Sequence, residues 1–136
     1  MYNNSYINPT INSAYKLALL HEKKVIINFF NVGHGSCTHI VTPNNKNFLI
    51  DVGTNENQSI IEYLKYKLNV NQIDFLIITH PHRDHILDIT NLNKLLQLKV
   101  LQRSKNAFPL QKAINEQDKI LFDYANKINS EYSYPV

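Results

Sequence analysis

The stretch that most constrains this chain is Ile73-Asp74-Phe75-Leu76-Ile77-Ile78-Thr79, which is almost wholly apolar and then breaks at once into His80-Pro81-His82-Arg83-Asp84-His85. A run of that kind is expected of a strand buried on both faces, with helices covering it. Polar groups at the C-terminal end of such a strand sit on a rigid support and face solvent. Here those groups are three imidazoles and a carboxylate, the donors that bind Zn²⁺ or a similar transition metal. Alternate residues of an extended segment point the same way, so His80 and His82 are expected to address one ion. Pro81 helps by biasing His80 away from helical dihedrals. Asp84 and His85 are adjacent, must diverge, and are better placed for a second ion close by. Read from the residues alone, this is half of a metal site.

The surrounding pattern supplies the rest of a sheet with helices packed on it. Val25-Ile26-Ile27-Asn28-Phe29-Phe30 reads as a strand, rich in β-branched and aromatic residues. Asn31-Val32-Gly33-His34-Gly35-Ser36 interrupts it, and two glycines so close mark a tight turn or a close approach of backbone. Cys37 to Thr42 is a second extended segment, Pro43 to Asn47 a turn, and Phe48-Leu49-Ile50-Asp51-Val52-Gly53 the returning strand of an antiparallel hairpin. Ser59-Ile60-Ile61-Glu62 has capping-box spacing, and Ile60, Ile61, Leu64 and Leu68 share one helical face, which ends at Asn69-Val70-Asn71. Beyond the histidines, Ile86 to Leu96 predicts a helix, Leu98 to Gln102 a strand, and Ile114 to Ser130 a long amphipathic helix. Residues 1–24 form a polar, Asn-rich extension with one apolar patch at 14–20, so the domain is expected over residues 25–136.

Composition narrows the setting. At 136 residues the chain is one domain at most. No segment approaches the roughly 18 apolar residues of a membrane span, and the N-terminus has neither the basic start nor the apolar core of a secretory signal. A single cysteine, Cys37, allows no internal disulfide, in keeping with a reducing, cytoplasmic setting. Its alternation with apolar neighbours assigns it to packing. The net charge of +3 is compatible with a nucleic-acid or nucleotide substrate, although no dense Lys/Arg cluster is visible. His21 and His39 are expected to be structural or solvated. Arg83 is expected either to meet an anionic substrate or to pair with a carboxylate such as Asp88.

Thr79-His80-Pro81-His82-Arg83-Asp84-His85 resembles the signature of the metallo-β-lactamase superfamily, and Asn31 to Ser36 and Leu49 to Gly53 resemble its glycine turn and aspartate strand. The likeness is strongest toward the branch that includes the hydrolase domain of the competence protein ComEC. It covers roughly residues 25 to 130 and corresponds to the first αβ half of a family member. The resemblance implies an α/β (α+β) fold of the αββα sandwich type and a two-zinc hydrolase. It implies His80 and His82 as ligands of the first metal, Asp84 and His85 as ligands of the second, and Asp51 as an orienting residue behind them. Gly33 and His34 would support the site from the glycine turn, and Asp84 would also hold the attacking water in line. One or two Zn²⁺ ions are implied, or Mn²⁺ or another divalent transition metal in their place.

A catalytic zinc needs three protein ligands and an open position, and no histidine follows His85. The expected enzyme is therefore a hydrolase whose site is completed by residues outside this sequence or by a partner chain. Metal-activated water acting on a phosphodiester is the first expectation, as in a nuclease or nucleotide phosphodiesterase. A thioester or lactone hydrolase of glyoxalase type is the second. The alternative from another class is a catalytically incomplete half-domain that acts as a protein-interaction module, its uncovered sheet seeking self-association or a partner chain.

Overall fold

The computed structural model describes residues 24–55, 58–104, 113 and 115–132. The apolar patch at 14–20 and His21 lie outside the described residues. Strands β1 (Ile26–Phe29), β2 (Thr38–Val41) and β3 (Asn47–Ile50) form an antiparallel meander. The chain then passes through a helix α1 (Ile60–Glu62) that widens into a π-helical turn, Tyr63–Lys67, and reaches β4 (Gln72–Ile73) and β5 (Phe75–Ile78). Two short helices follow, α2 (Arg83–Ile86) and α3 (Ile89–Leu95), then β6 (Gln97–Leu98), β7 (Leu101–Arg103) and the long α4 (Glu116–Glu131). The main sheet has the order β1-β2-β3-β5-β7, antiparallel on one side and parallel from β3 onward, while β4 and β6 pair in a separate parallel ribbon.

This is the mixed α/β architecture expected, a five-stranded sheet with helices, consistent with half of a metallo-β-lactamase-like fold. Its elements form where the sequence patterns place them, with local departures. Ser59 caps α1 by accepting from the Glu62 amide at 3.0 Å, and Asn69 ends the following turn in the left-handed region, φ 53°. The helix does not stay regular to Leu68, because the Leu68 amide reaches back five residues to the Tyr63 carbonyl. The long apolar run is split at Asp74, whose carboxylate accepts from the Asn47 amide (3.0 Å) and from Gln72 Nε2 (2.9 Å) and so ties the start of β5 to the start of β3. Likewise the helix expected from Ile86 to Leu96 breaks at Leu87 and Asp88, and the strand expected from Leu98 to Gln102 divides between two sheets.

One expectation is corrected. β5 is buried on one face only: Leu76 and Ile78 are sealed, whereas Phe75 and Ile77 are half-buried. The register explains why. Leu49, Leu76 and Leu101 align across the sheet and join a single apolar cluster with the buried residues of every helix, including Ile61, Ile86, Leu92 and Ile128. All the described helices therefore cover one face. The opposite face carries Ile27, Ile40, Phe48 and Phe75 in line across four strands, with Phe48 and Phe75 stacked at 5.6 Å. Both faces are apolar, so the sequence of β5 reads as doubly buried when only one side is covered.

Candidate metal centre

The loop after β5 gathers three imidazoles. The His80 ring lies 3.8 Å from that of His85 and 4.6 Å from that of His82, centroid to centroid. His82 sits in extended backbone at the N-cap of α2, so helix formation begins one residue after it and carries Asp84 and His85 onto the first turn. The His85 amide bonds the His82 carbonyl at 3.0 Å, which closes that turn. Asp84 Oδ2 then stands 3.7 Å from His85 Nε2.

Asp51 supports the loop from behind. It follows the last residue of β3, is almost fully buried, and adopts a left-handed φ of 57°, a conformation that Asp tolerates better than most residues. The turn lets the next two amides bond the His85 and Ser36 carbonyls, both at 2.8 Å. The Asp51 carboxylate accepts from the Thr79 amide (2.8 Å), the Thr79 hydroxyl (2.7 Å) and His85 Nδ1 (2.8 Å). A proton on Nδ1 leaves Nε2 of His85 as a lone pair facing Asp84. That is how an outer carboxylate orients a ligating histidine.

Two glycines let the backbone close in. A Cβ on Gly35 would lie 2.0 Å from the Asp84 carbonyl oxygen, and one on Gly53 would lie 2.4 Å from the same atom. Both positions require glycine because α2 packs directly on them. Gly33 is different: its φ is +78°, and a Cβ there would meet nothing within 4 Å. At Gly33 glycine suits the left-handed backbone of the turn, and the close approach belongs to Gly35 and Gly53. His34 is exposed on the same turn.

Arg83 pairs with a different carboxylate from the one expected. Its Nε donates to Asp118 Oδ1 of α4 at 2.9 Å. Asp88 is turned inward, where it accepts from Ser59 Oγ, from the Ile61 amide at 2.8 Å and from Asn91 Nδ2 at 2.8 Å. It therefore caps α1 from across the core and is not available to Arg83. A groove of about 240 Å³ lies beside this ion pair, lined by Arg83, Leu87, Thr90, Gln117, Ile120 and Leu121. That is below the roughly 300–1,000 Å³ of small-molecule sites. Cys37 is buried and its thiol is pushed up to about 12, first by desolvation and then by the charges of Asp88 and Asp51. It is a neutral thiol packed in the core.

The donor set matches a divalent transition metal in chemistry. Imidazole and carboxylate suit zinc and its neighbours, and the 3.7 Å between His85 Nε2 and Asp84 Oδ2 is near the roughly 3.4 Å that two ligands about 2.1 Å from a tetrahedral ion would show. The set is nevertheless partial. Among the described residues no three His, Cys, Asp or Glu side chains converge to hold an ion. His80, His82, Asp84 and His85 are brought to one place, yet the rings pack on one another rather than around a point.

Sequence reasoning missed the parts played by Thr79, by Asp118 as the partner of Arg83 and by Asp88 as an inward cap. For Thr79 a signal existed, since it is the one polar residue between the apolar strand and the first histidine. For the two aspartates none did, because the contacts that set their roles, with the Ile61 amide and with Arg83, span 27 and 35 residues.

Over 61 residues the chain is 39% identical to a UPF0173 metal-dependent hydrolase of Roseiflexus sp. (strain RS-1), and 38% identical to a protein of the same description from Roseiflexus castenholzii. Those matches cover 45% of this chain, and the chain spans a quarter of the length of either relative. Residues 30–124 match the sequence profile of the metallo-beta-lactamase superfamily. Because that match takes in the glycine turn, the Asp51 hinge and the whole histidine loop, the chain belongs to the metallo-β-lactamase superfamily.

Proposed function

We propose that this chain provides the first half of the active site of a metal-dependent hydrolase, with His80 and His82 as donors to one divalent ion and Asp84 and His85 as donors to a second. The observation that carries this reading is the Asp51–His85 bond of 2.8 Å, which holds an imidazole with its Nε2 lone pair toward a second donor. The hydrolase descriptions of the Roseiflexus relatives support it. A divalent cation in such a site supplies Lewis acidity and lowers the pKa of water. The chain's own residues do the rest: Asp51 orients His85, Gly35 and Gly53 admit α2, and Asp84 offers a carboxylate that can take a proton from the attacking water. Zinc is the ion that the imidazole-rich donors favour, with Mn²⁺ next.

For substrate, the ComEC-like resemblance and the net charge of +3 favour a phosphodiester, in a nucleic acid or a nucleotide. A thioester or lactone of the glyoxalase type is the alternative. A cytoplasmic setting suits the single buried thiol, and no helix among the described residues is long and apolar enough to cross a membrane. The test is metal content with hydrolysis of a phosphodiester reporter beside a thioester. Zinc bound by the wild-type chain, and lost together with any phosphodiesterase activity in the His82→Ala/Asp84→Ala double variant, is the expected result. Activity that survives the double change would sink the reading.

A second reading is favoured by the open sheet face. On the edge strand Phe29 is 80% exposed and Ile27 51%, Ile27 in line with the half-buried Phe48 and Phe75 and Phe29 two residues along the same face. An apolar face of this kind is one that a second copy or another chain covers, so the half-domain would then act as an interaction module.

A further inference from the structure

We infer that Thr79 is a positioning residue that fixes the tautomer of His80, so that a single buried carboxylate presents two histidines at once. The inference rests on the metal-site reading above only for its consequence, not for its geometry. Asp51 Oδ2 lies 2.7 Å from Thr79 Oγ1. A carboxylate has no proton to give, so the hydroxyl proton of Thr79 lies in that contact. The same hydroxyl oxygen is 3.1 Å from His80 Nδ1. With its only proton already committed, the hydroxyl can only accept there, and Nδ1 of His80 must carry the proton. His80 is thereby held as the Nδ1–H form, with Nε2 as a lone pair. His85 reaches the same state by donating straight to Asp51 Oδ2 at 2.8 Å.

Thr79 suits this relay because it grips Asp51 twice, its amide bonding Oδ1 at 2.8 Å while its hydroxyl bonds Oδ2. The double contact fixes where the hydroxyl oxygen sits. Only a β-hydroxyl adjoining the histidine in sequence combines both contacts, so valine, which has the same shape, keeps the amide bond and loses the relay. Free histidine side chains in water favour the other tautomer, with the proton on Nε2. Losing the hydroxyl should therefore let His80 revert.

The test begins with the metal-free chain, by long-range ¹⁵N–¹H NMR at a pH above the histidine range. The wild type should show His80 protonated on Nδ1, and Thr79→Val should move the proton to Nε2 while His85 stays on Nδ1. Thr79→Ser should restore the wild-type pattern. Zinc titration of the same proteins should show a loss of about 10–100-fold in affinity for Thr79→Val, the size expected for removing an outer hydrogen bond, and near-wild-type affinity for Thr79→Ser. His80 found as Nε2–H in the wild type, or unchanged in Thr79→Val, would overturn the inference, and the first of these needs no variant to fold. A wild type that binds no zinc yet shows the Nδ1–H pattern would leave the Thr79 relay standing and show that the ion needs donors from outside this sequence.

Discussion

His39 shows how a single residue can be mistaken for a spare ligand. It lies on β2, 1% exposed, between two asparagines: Nε2 is 3.0 Å from Asn47 Oδ1, and Nδ1 is 3.3 Å from Asn28 Nδ2. Asn47 can only accept at Oδ1, so the ring is neutral with its proton on Nε2 and accepts from Asn28. Burial lowers its pKa below the ordinary 6.5, opposed in part by the bond to Asn47. Below 6.5 the unfolded chain binds a proton that the folded chain resists. The contribution of His39 to stability is therefore fully present above that value and is lost as pH falls through the folded pKa. In denaturant titrations at several pH values, the stability advantage of wild type over His39→Gln should shrink steadily as the solution is acidified below 6.5. An advantage that is constant with pH would show that His39 binds its proton equally well in the folded and unfolded chains, so that burial shifts nothing. The alternation Cys37, His39, Val41 put this side chain on a strand but left it structural or solvated, and its burial was decided by its two partners on the neighbouring strands.

At the scale of elements, the site depends on how closely α2 is pressed against two loops. The Asp84 carbonyl lies where a Cβ of either Gly35 or Gly53 would be, and the Val52 amide and carbonyl bond the His85 carbonyl and the Asp88 amide, each at 2.8 Å. Gly53→Ala should force α2 away from this support and cost about 1–3 kcal/mol, as overpacking does. The amide resonances of Asp84 and His85 should shift with it. Gly33→Ala should cost about 1 kcal/mol through its left-handed backbone alone and leave those two resonances in place. Equal shifts in both variants would refute the assignment of close contact to Gly53. The glycine turn and the aspartate strand were both legible as motifs. Which glycine meets the ligand loop was not, because contact with Asp84 brings together loops about 30 to 50 residues apart in sequence.

For the molecule as a whole, the main consequence is the asymmetry of the sheet. Its helix-covered face holds Leu49, Leu76 and Leu101, and its other face presents Ile27, Ile40, Phe48 and Phe75 without cover from any described helix. β1 lies at the sheet edge, with Val25, Ile27 and Phe29 all more than half exposed. If that face is where a second chain docks, Phe29→Lys should lower self-association in sedimentation velocity. Because Phe29 is exposed, the same change should alter stability by no more than about 0.5 kcal/mol. Wild-type protein that stays monomeric at high concentration would remove the self-association form of the module reading.

By itself the sequence determined the strands, the capped helices, the histidine loop at the end of β5 and the aspartate at the end of β3. Each of these follows from local information: hydrophobic period, turn residues and the spacing of donors along a few residues. Only the tertiary structure decided that β5 is covered on one side, that Asp88 caps α1 while Asp118 takes Arg83, and that Asp51 reaches His85 directly and His80 through Thr79. Those outcomes depend on which distant segments meet. Burial of a shared apolar face is non-directional and selects among such meetings without leaving a local mark. The hydrogen bonds that then form at the meeting points set the geometry of the site.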